Sequence, residues 1–210
     1  MKHDWIAVAY YTEDTIYEER VDCLRDSLIA LDIPFDIRGV KNRGTWLDNV
    51  NYKPTFLQQM MVKHYPKPIV YVDIDAEFRR YPILFDDLDC NIAVHKFDRT
   101  RHKKVGAVGF EILSGTIYLN NCKETYSTVQ KWLERCERRP SQWDQKSLAF
   151  VIKNDYYDLP PEYCAIFDLM DDIPDPVIVH WQASREVRKN KGRIKSNKSS
   201  RILSKANCQL

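Results

Sequence analysis

The sequence predicts an α/β domain with a mainly parallel central sheet flanked by helices, and three observations carry that reading. Trp5-Ile6-Ala7-Val8-Ala9-Tyr10-Tyr11 is a near-continuous apolar run, the pattern of a strand buried on both faces. Ile69-Val70-Tyr71-Val72 is a second run of this kind, β-branched and aromatic. Extended segments alternate along the chain with segments of helical periodicity, which argues for one layer of strands between helices.

The elements follow in order. Thr12-Glu13-Asp14-Thr15 suits a turn and a helix cap. Leu24, Leu28 and Leu31 then recur at helical spacing up to Asp32. Pro34 ends that helix, and Phe35-Asp36-Ile37 reads as a short strand. Residues 41–52 have no apolar period and read as a loop. Pro54 suits the first turn of a helix running to His64, which Pro66 and Pro68 break. Strands are expected from Asn91 to His95 and from Glu111 to Leu119, the second interrupted by Ser114-Gly115. A helix from about Glu124 to Arg138 carries Val129, Leu133 and Cys136 on one face. Another covers roughly Asp144 to Ile152, Pro160-Pro161 marks a turn, and Val177-Ile178-Val179-His180-Trp181 is the last strand. A single domain over residues 1–190 and a basic, polar tail over 191–210 are expected.

Composition excludes several classes. The 210 residues are 44% hydrophobic, enough to bury a core. No apolar run approaches the ~18 residues that span a bilayer, and the N-terminus lacks a signal-peptide segment. The six cysteines form no C-x-x-C pair, so reduced thiols and a cytoplasmic location (host cytoplasm if viral) are expected. No glycine-rich phosphate loop occurs among only six glycines. The net charge of +2 hides an asymmetry. Arg185 to Lys205 holds nine basic residues and one acid, which leaves 23 basic against 29 acidic residues in 1–184. The tail suits a weak polyanion contact.

Two D-x-D pairs occur, about as many as chance gives from 20 aspartates. Asp87 and Asp89 lie in a polar turn and read as solvated surface. Asp73 and Asp75 leave the end of an apolar strand, where ligand sites of open α/β sheets lie. Two carboxylates spaced by two can turn to one side and hold a hard divalent cation.

Several segments in order carry a resemblance. These are Tyr52-Lys53-Pro54-x-Phe56-Leu57, Ile69 to Ala76 around Asp73-Ile74-Asp75, and Tyr81-Pro82-x-Leu84-Phe85. Ser114 to Asn121, Trp143-Asp144-Gln145 and His180-Trp181-Gln182-Ala183-Ser184-Arg185 complete the set. Together they resemble the GT-A-fold nucleotide-diphospho-sugar glycosyltransferases of small bacterial or viral type, and more distantly the glycogenin-like retaining enzymes. The resemblance covers residues 5 to about 189. It implies a GT-A, Rossmann-like domain that moves a sugar from a nucleotide donor, UDP-linked by expectation, to a glycan, a protein or another hydroxyl. It implies Mn2+ or Mg2+ held by Asp73, Asp75 and His180. It implies Asp144 and Gln145 as catalytic residues, and donor contacts from Tyr11, Thr12, Lys53, Asp73, Ile74, Gly115, Ser184, Arg185 and Lys189. The sequence departs from the glycogenin-like pattern after His180, where Gln-Ala-Ser-Arg replaces a glycine and Lys-Pro-Trp.

Each residue has a plainer alternative. Lys53 meets a phosphate or caps a helix, Asp144 reacts or serves as an N-cap, and His180 ligates or packs in the core. Gly115 admits the sugar or marks a bulge. Tyr10 reads as core. Trp143 and Trp181 stack on sugars or pack internally, and Arg43-Gly44-Thr45-Trp46 borders the donor. His95, Phe97 and residues 98–104 border the acceptor or form a surface loop. A nucleotidyltransferase ranks low, because no glycine-rich loop follows the first strand. The remaining alternatives are a degenerate GT-A domain binding nucleic acid or glycan, and a viral DNA-base glycosyltransferase. At 210 residues the chain is small for this fold, which leaves acceptor recognition open to a partner, an adjoining domain or an oligomer.

Overall fold

A computed structural model describes residues 4–100, 109–170 and 172–183. Ser184, Arg185, Lys189, residues 101–104 and the basic tail lie outside the described residues.

Strands β1 (Ile6–Thr12), β2 (Phe35–Val40) and β3 (Ile69–Val72) alternate with helices α1 (Val21–Ala30), α2 (Trp46–Val50) and α3 (Lys53–His64). Then come β4 (Ala76–Phe78), β5 (Ile92–Asp98), β6 (Phe110–Leu119), α4 (Lys123–Arg138) and α5 (Asp144–Ile152). The short strands β7 (Tyr157–Asp158), β8 (Ala165–Ile166) and β9 (Ile178–His180) follow. The central sheet has the order β2-β1-β3-β6-β5-β7. It is mixed: β1 pairs in parallel with β2 and β3, and β5 with β7, while β6 runs antiparallel to β3 and β5. A second sheet, β4-β9-β8, carries the last strand, which therefore lies outside the central sheet.

The apolar runs in β1 and β3 have the expected cause. Ala7, Ala9, Val70 and Val72 enter one core cluster with Leu24 and Leu28 of α1. Val8, Tyr10, Ile69 and Tyr71 enter the other, with Phe56, Leu57, Met60 and Met61 of α3 and Trp132 of α4. Period-two alternation thus feeds two cores, one on each face. Each fully buried leucine contributes about 1.5–3 kcal/mol of burial.

Three local readings change. Residues 46–50 are helical, because Thr45 and Asp48 form a capping box that starts a helix too short to show an apolar period. On α4 the buried residues are Thr125, Val129, Trp132 and Cys136, so Trp132 replaces Leu133 on the core face. The Trp132 indole donates to the Asp144 carbonyl at 2.9 Å, which sets that phase. Finally, α1 stops at Ala30, and Asp32 takes a left-handed φ of 56° before Pro34.

Candidate active site

Parallel pairing brings the C-terminal ends of β1 and β3 to one edge of the sheet, the usual place of a ligand crevice. A cleft of about 610 Å³ opens there, within the range of small-molecule sites. Tyr11, Thr12, Lys53, Asp73, Ile74, Asp75, Asp144 and Gln145 line it, as do Trp46 and Trp143.

Asp73 and Asp75 sit in the turn between β3 and β4, closed by the Ala76 N–H donating to the Asp73 carbonyl at 2.9 Å. His180, at the end of β9, completes a group with them whose ligand atoms lie within 4.8 Å of one another. Each of the three has one polar atom tied to the protein. Asp73 Oδ1 accepts from the Tyr71 hydroxyl at 2.7 Å and stands 3.1 Å from Lys53 Nζ. Asp75 Oδ2 accepts from the Ala183 N–H at 2.8 Å, brought there by Gln182 with a left-handed φ of 55°. His180 Nε2 is 2.8 Å from Thr116 Oγ1. The remaining atoms face inward, with His180 Nδ1 3.8 Å from Asp75 Oδ1.

Gly115 forms the back wall. A Cβ there would stand 3.1 Å from His180 Cε1 and 3.3 Å from both Asp73 Oδ2 and His180 Nδ1. The glycine therefore leaves open a cradle between two ligand atoms. Two carboxylates and an imidazole fit a divalent cation, and the imidazole suits Mn2+ better than Mg2+.

Electrostatics point the same way. The described cleft lining holds four carboxylates, Asp73, Asp75, Glu111 and Asp144, against two cations, Lys53 and Arg99. The net negative charge of this lining suits a bound cation. Although 40% of the Asp73 side chain faces the cleft, enclosure of its carboxylate by the surrounding residues lifts its pKa above the ordinary value. Lys53 opposes that rise and Asp75 adds to it. For Asp75, burial acts upward, but His180 and the Ala183 N–H bring the net pKa below the ordinary value.

Lys53, the first residue of α3, is buried, and its ammonium bridges Asp73 Oδ1 and Asp144 Oδ2 at 3.1 Å each. It also donates to the Ser114 carbonyl at 3.0 Å. Asp144 begins α5 without capping it through its side chain. Its Oδ2 instead accepts from the Ser114 hydroxyl at 3.0 Å. Gln145 is held at both ends of its amide. Its oxygen accepts from the Ser114 N–H at 3.3 Å, and its nitrogen donates to Glu111 Oε1 at 2.6 Å. Glu111 Oε2 in turn lies 3.2 Å from Arg99 Nε.

Four residues of this network had no contact assigned from the sequence: Glu111, and Tyr71, Ser114 and Thr116, which entered only within the matched segments. Tyr71 was accessible to it, since a side chain two residues before Asp73 on an extended strand points the same way. Other residues lie elsewhere. Trp181 donates to Glu77 Oε2 at 2.9 Å and packs on Phe167, lining a separate groove. His95 is buried, with Nδ1 2.8 Å from the Leu159 carbonyl, while Phe97 and Arg99 reach the cleft. Arg43 covers the Tyr52 ring at 3.4 Å. Asp87 and Asp89 are exposed, and Tyr10 is core. The five cysteines among the described residues are free. Among the same residues no helix is long and apolar enough to cross a membrane.

Comparison with solved structures decides the fold. A glycosyltransferase involved in glycosylation of the major capsid of PBCV-1 superposes with a TM-score of 0.68, over 91% of this chain and 99% of its own, at 13% identity. The chain has the GT-A glycosyltransferase fold. The galactosyltransferase LgtC, in complex with donor and acceptor sugar analogs, shares this fold at a TM-score of 0.58 and 11% identity, over 89% of this chain and 95% of its own. The glycosyltransferase GlyE of Streptococcus pneumoniae TIGR4 matches at 0.59 and 17% identity, over 85% of this chain but 54% of its own. No family model matches the chain, and no curated protein matches its sequence.

Proposed function

We propose that this chain is a metal-dependent glycosyltransferase that moves a sugar from a nucleoside-diphosphate donor, UDP-linked, to a hydroxyl acceptor on a glycan or protein. One observation carries the reading. At the floor of a net-anionic cleft in a GT-A fold, Asp73 and Asp75 lie close to the buried imidazole of His180 around Gly115. Asp73, Asp75 and His180 would hold a divalent cation, whose charge would offset that of a diphosphate.

The chain's own residues do the rest. Tyr11 and Thr12, at the end of β1, meet the nucleoside. Lys53 holds Asp73 and Asp144 in place. Asp144 binds donor-sugar hydroxyls through the oxygen that Lys53 does not take. Gln145, clamped between the Ser114 N–H and Glu111, presents its amide to the anomeric centre. Trp46 and Trp143, edge to face with centroids 5.8 Å apart, shape the sugar subsite.

Asp144 Oδ2 is paired with Lys53 and Ser114, and Glu111 with Gln145 and Arg99.

The test is thermal unfolding with UDP, with and without Mn2+. Ligand at about 100 times its dissociation constant adds about 2.7 kcal/mol, a rise of roughly 5–10 °C for a domain of this size. The rise should require Mn2+ and vanish in Asp75→Ala. Absence of any shift with every nucleoside diphosphate in Mn2+ would sink the reading. The anomeric configuration of the product, read by NMR, then decides between retention and inversion.

A further inference from the structure

Thr116 and His180 belong to different sheets. Thr116 lies on β6 opposite Val72, and His180 lies on β9 opposite Ala76. Both are buried, and Thr116 Oγ1 stands 2.8 Å from His180 Nε2. The other ring nitrogen, Nδ1, turns toward Asp75 and toward the open space at Gly115.

A neutral imidazole carries its proton on one nitrogen only, and coordination needs a bare nitrogen. Two arrangements satisfy the 2.8 Å contact. Either Thr116 donates to a bare Nε2, which leaves the proton on Nδ1 and closes the cradle to a cation, or Thr116 accepts from Nε2–H and leaves Nδ1 bare. Nδ1 is the nitrogen that faces Asp73 and Asp75 across Gly115, so a cation held by this group requires the second arrangement.

We propose that Thr116 is a positioning residue whose hydroxyl oxygen accepts the His180 Nε2–H and so presents a bare Nδ1, beside Asp73 and Asp75, to a divalent cation. This rests on the cation site proposed above and assigns the ligating atom within it. Partners of this kind on the far nitrogen of a ligating histidine fix its tautomer and orientation, and their loss weakens metal binding by about 10- to 100-fold.

The test compares wild type, Thr116→Val and Thr116→Ser. The protonated nitrogen of His180 is read from 15N imidazole shifts in metal-free protein at about pH 8. Mn2+ affinity is read from the free-ion signal in electron paramagnetic resonance. Wild type and Thr116→Ser should show the Nε2–H form and bind Mn2+ similarly. Thr116→Val should lose that single tautomer and about 10- to 100-fold of affinity, with an unchanged circular dichroism spectrum. A wild type carrying its proton on Nδ1, or a Thr116→Val protein binding Mn2+ as wild type does, overturns the role of Thr116 alone. A wild type that binds no Mn2+ overturns the cation site itself. If Thr116→Val does not fold, the wild-type 15N spectrum decides which nitrogen holds the proton.

Discussion

Lys53 Nζ lies 3.1 Å from Asp144 Oδ2 and equally far from Asp73 Oδ1, a single buried ammonium joining two carboxylates 71 positions apart in the chain. One belongs to the proposed cation site and the other to the proposed sugar subsite. The lysine fixes their spacing before any ligand arrives, which is how a rigid first turn of α3 prepares a site at the ends of β3 and α5.

Replacing Lys53 with Met leaves Asp144 buried and uncompensated. The expected cost is about 3–5 kcal/mol, read from the urea midpoint. Its pH dependence has a definite sign. Burial lowers the Lys53 pKa, but Asp144 and Asp73 outweigh it and the net shift is upward. The native state therefore holds this proton more tightly than the unfolded chain. The contribution is complete below about 10.4, the unfolded lysine value, and is lost as pH rises through the folded value. The Lys53→Met deficit should be the same at about pH 6 and about pH 9. An unchanged midpoint would show that the bridge carries no stability.

Gly115→Ala tests the cradle. The added Cβ would lie 3.1–3.3 Å from His180 and Asp73, tighter than ordinary contact, so the two ligand groups must separate. Mn2+ affinity should fall by about tenfold or more, while Mn2+-free stability changes by less than about 1 kcal/mol. Undiminished Mn2+ binding in the variant would remove Gly115 from the site.

Much of this arrangement was legible from the chain alone, for identifiable reasons. The apolar runs of β1 and β3 announce strands buried on both faces, and a D-x-D pair leaving such a strand marks the sheet edge. Contacts between distant segments were not legible. Gln145 and Glu111 meet across 34 positions only once β6 and α5 are packed together. Trp181, one residue beyond β9, follows the plainer of its two readings and packs on Phe167, a partner 14 positions away. Leu133 and Trp132 differ by one helical step. The choice between them depends on the Asp144 carbonyl, which no local period encodes.

Asp36 offers an acid-limb prediction away from the cleft. Its carboxylate takes Arg38 Nε and Lys63 Nζ at 2.6 Å and His64 Nε2 at 2.8 Å, tying β2 to the end of α3. Burial alone would raise its pKa, but these three partners hold it well below the ordinary range. The native state thus binds fewer protons here than the unfolded chain. Its stabilisation is present above the unfolded value of about 3.9 and declines as pH falls below it. Asp36→Asn should lose about 1–3 kcal/mol at neutral pH, and the gap to wild type should narrow below about pH 4. Melting curves between about pH 3 and pH 7 read this directly. A gap independent of pH would mean that the charge of Asp36 is not what stabilises.

Glu111 holds the Gln145 amide at 2.6 Å while lying 3.2 Å from Arg99, so it sets which way Gln145 points without being required to bind a cation. If Gln145 acts at the anomeric centre, its freedom to rotate should cost rate rather than binding. Glu111→Ala should lower kcat by about 10- to 100-fold, the scale on which small misplacements act, with the donor KM little changed. Glu111→Gln keeps an acceptor oxygen for the Gln145 N–H and should recover much of the loss. Steady-state release of UDP from a UDP-sugar, with the thermal midpoint of each variant as control, makes the comparison. A rise in KM at constant kcat would instead assign Glu111 to donor binding and leave the orientation of Gln145 to the Ser114 N–H alone.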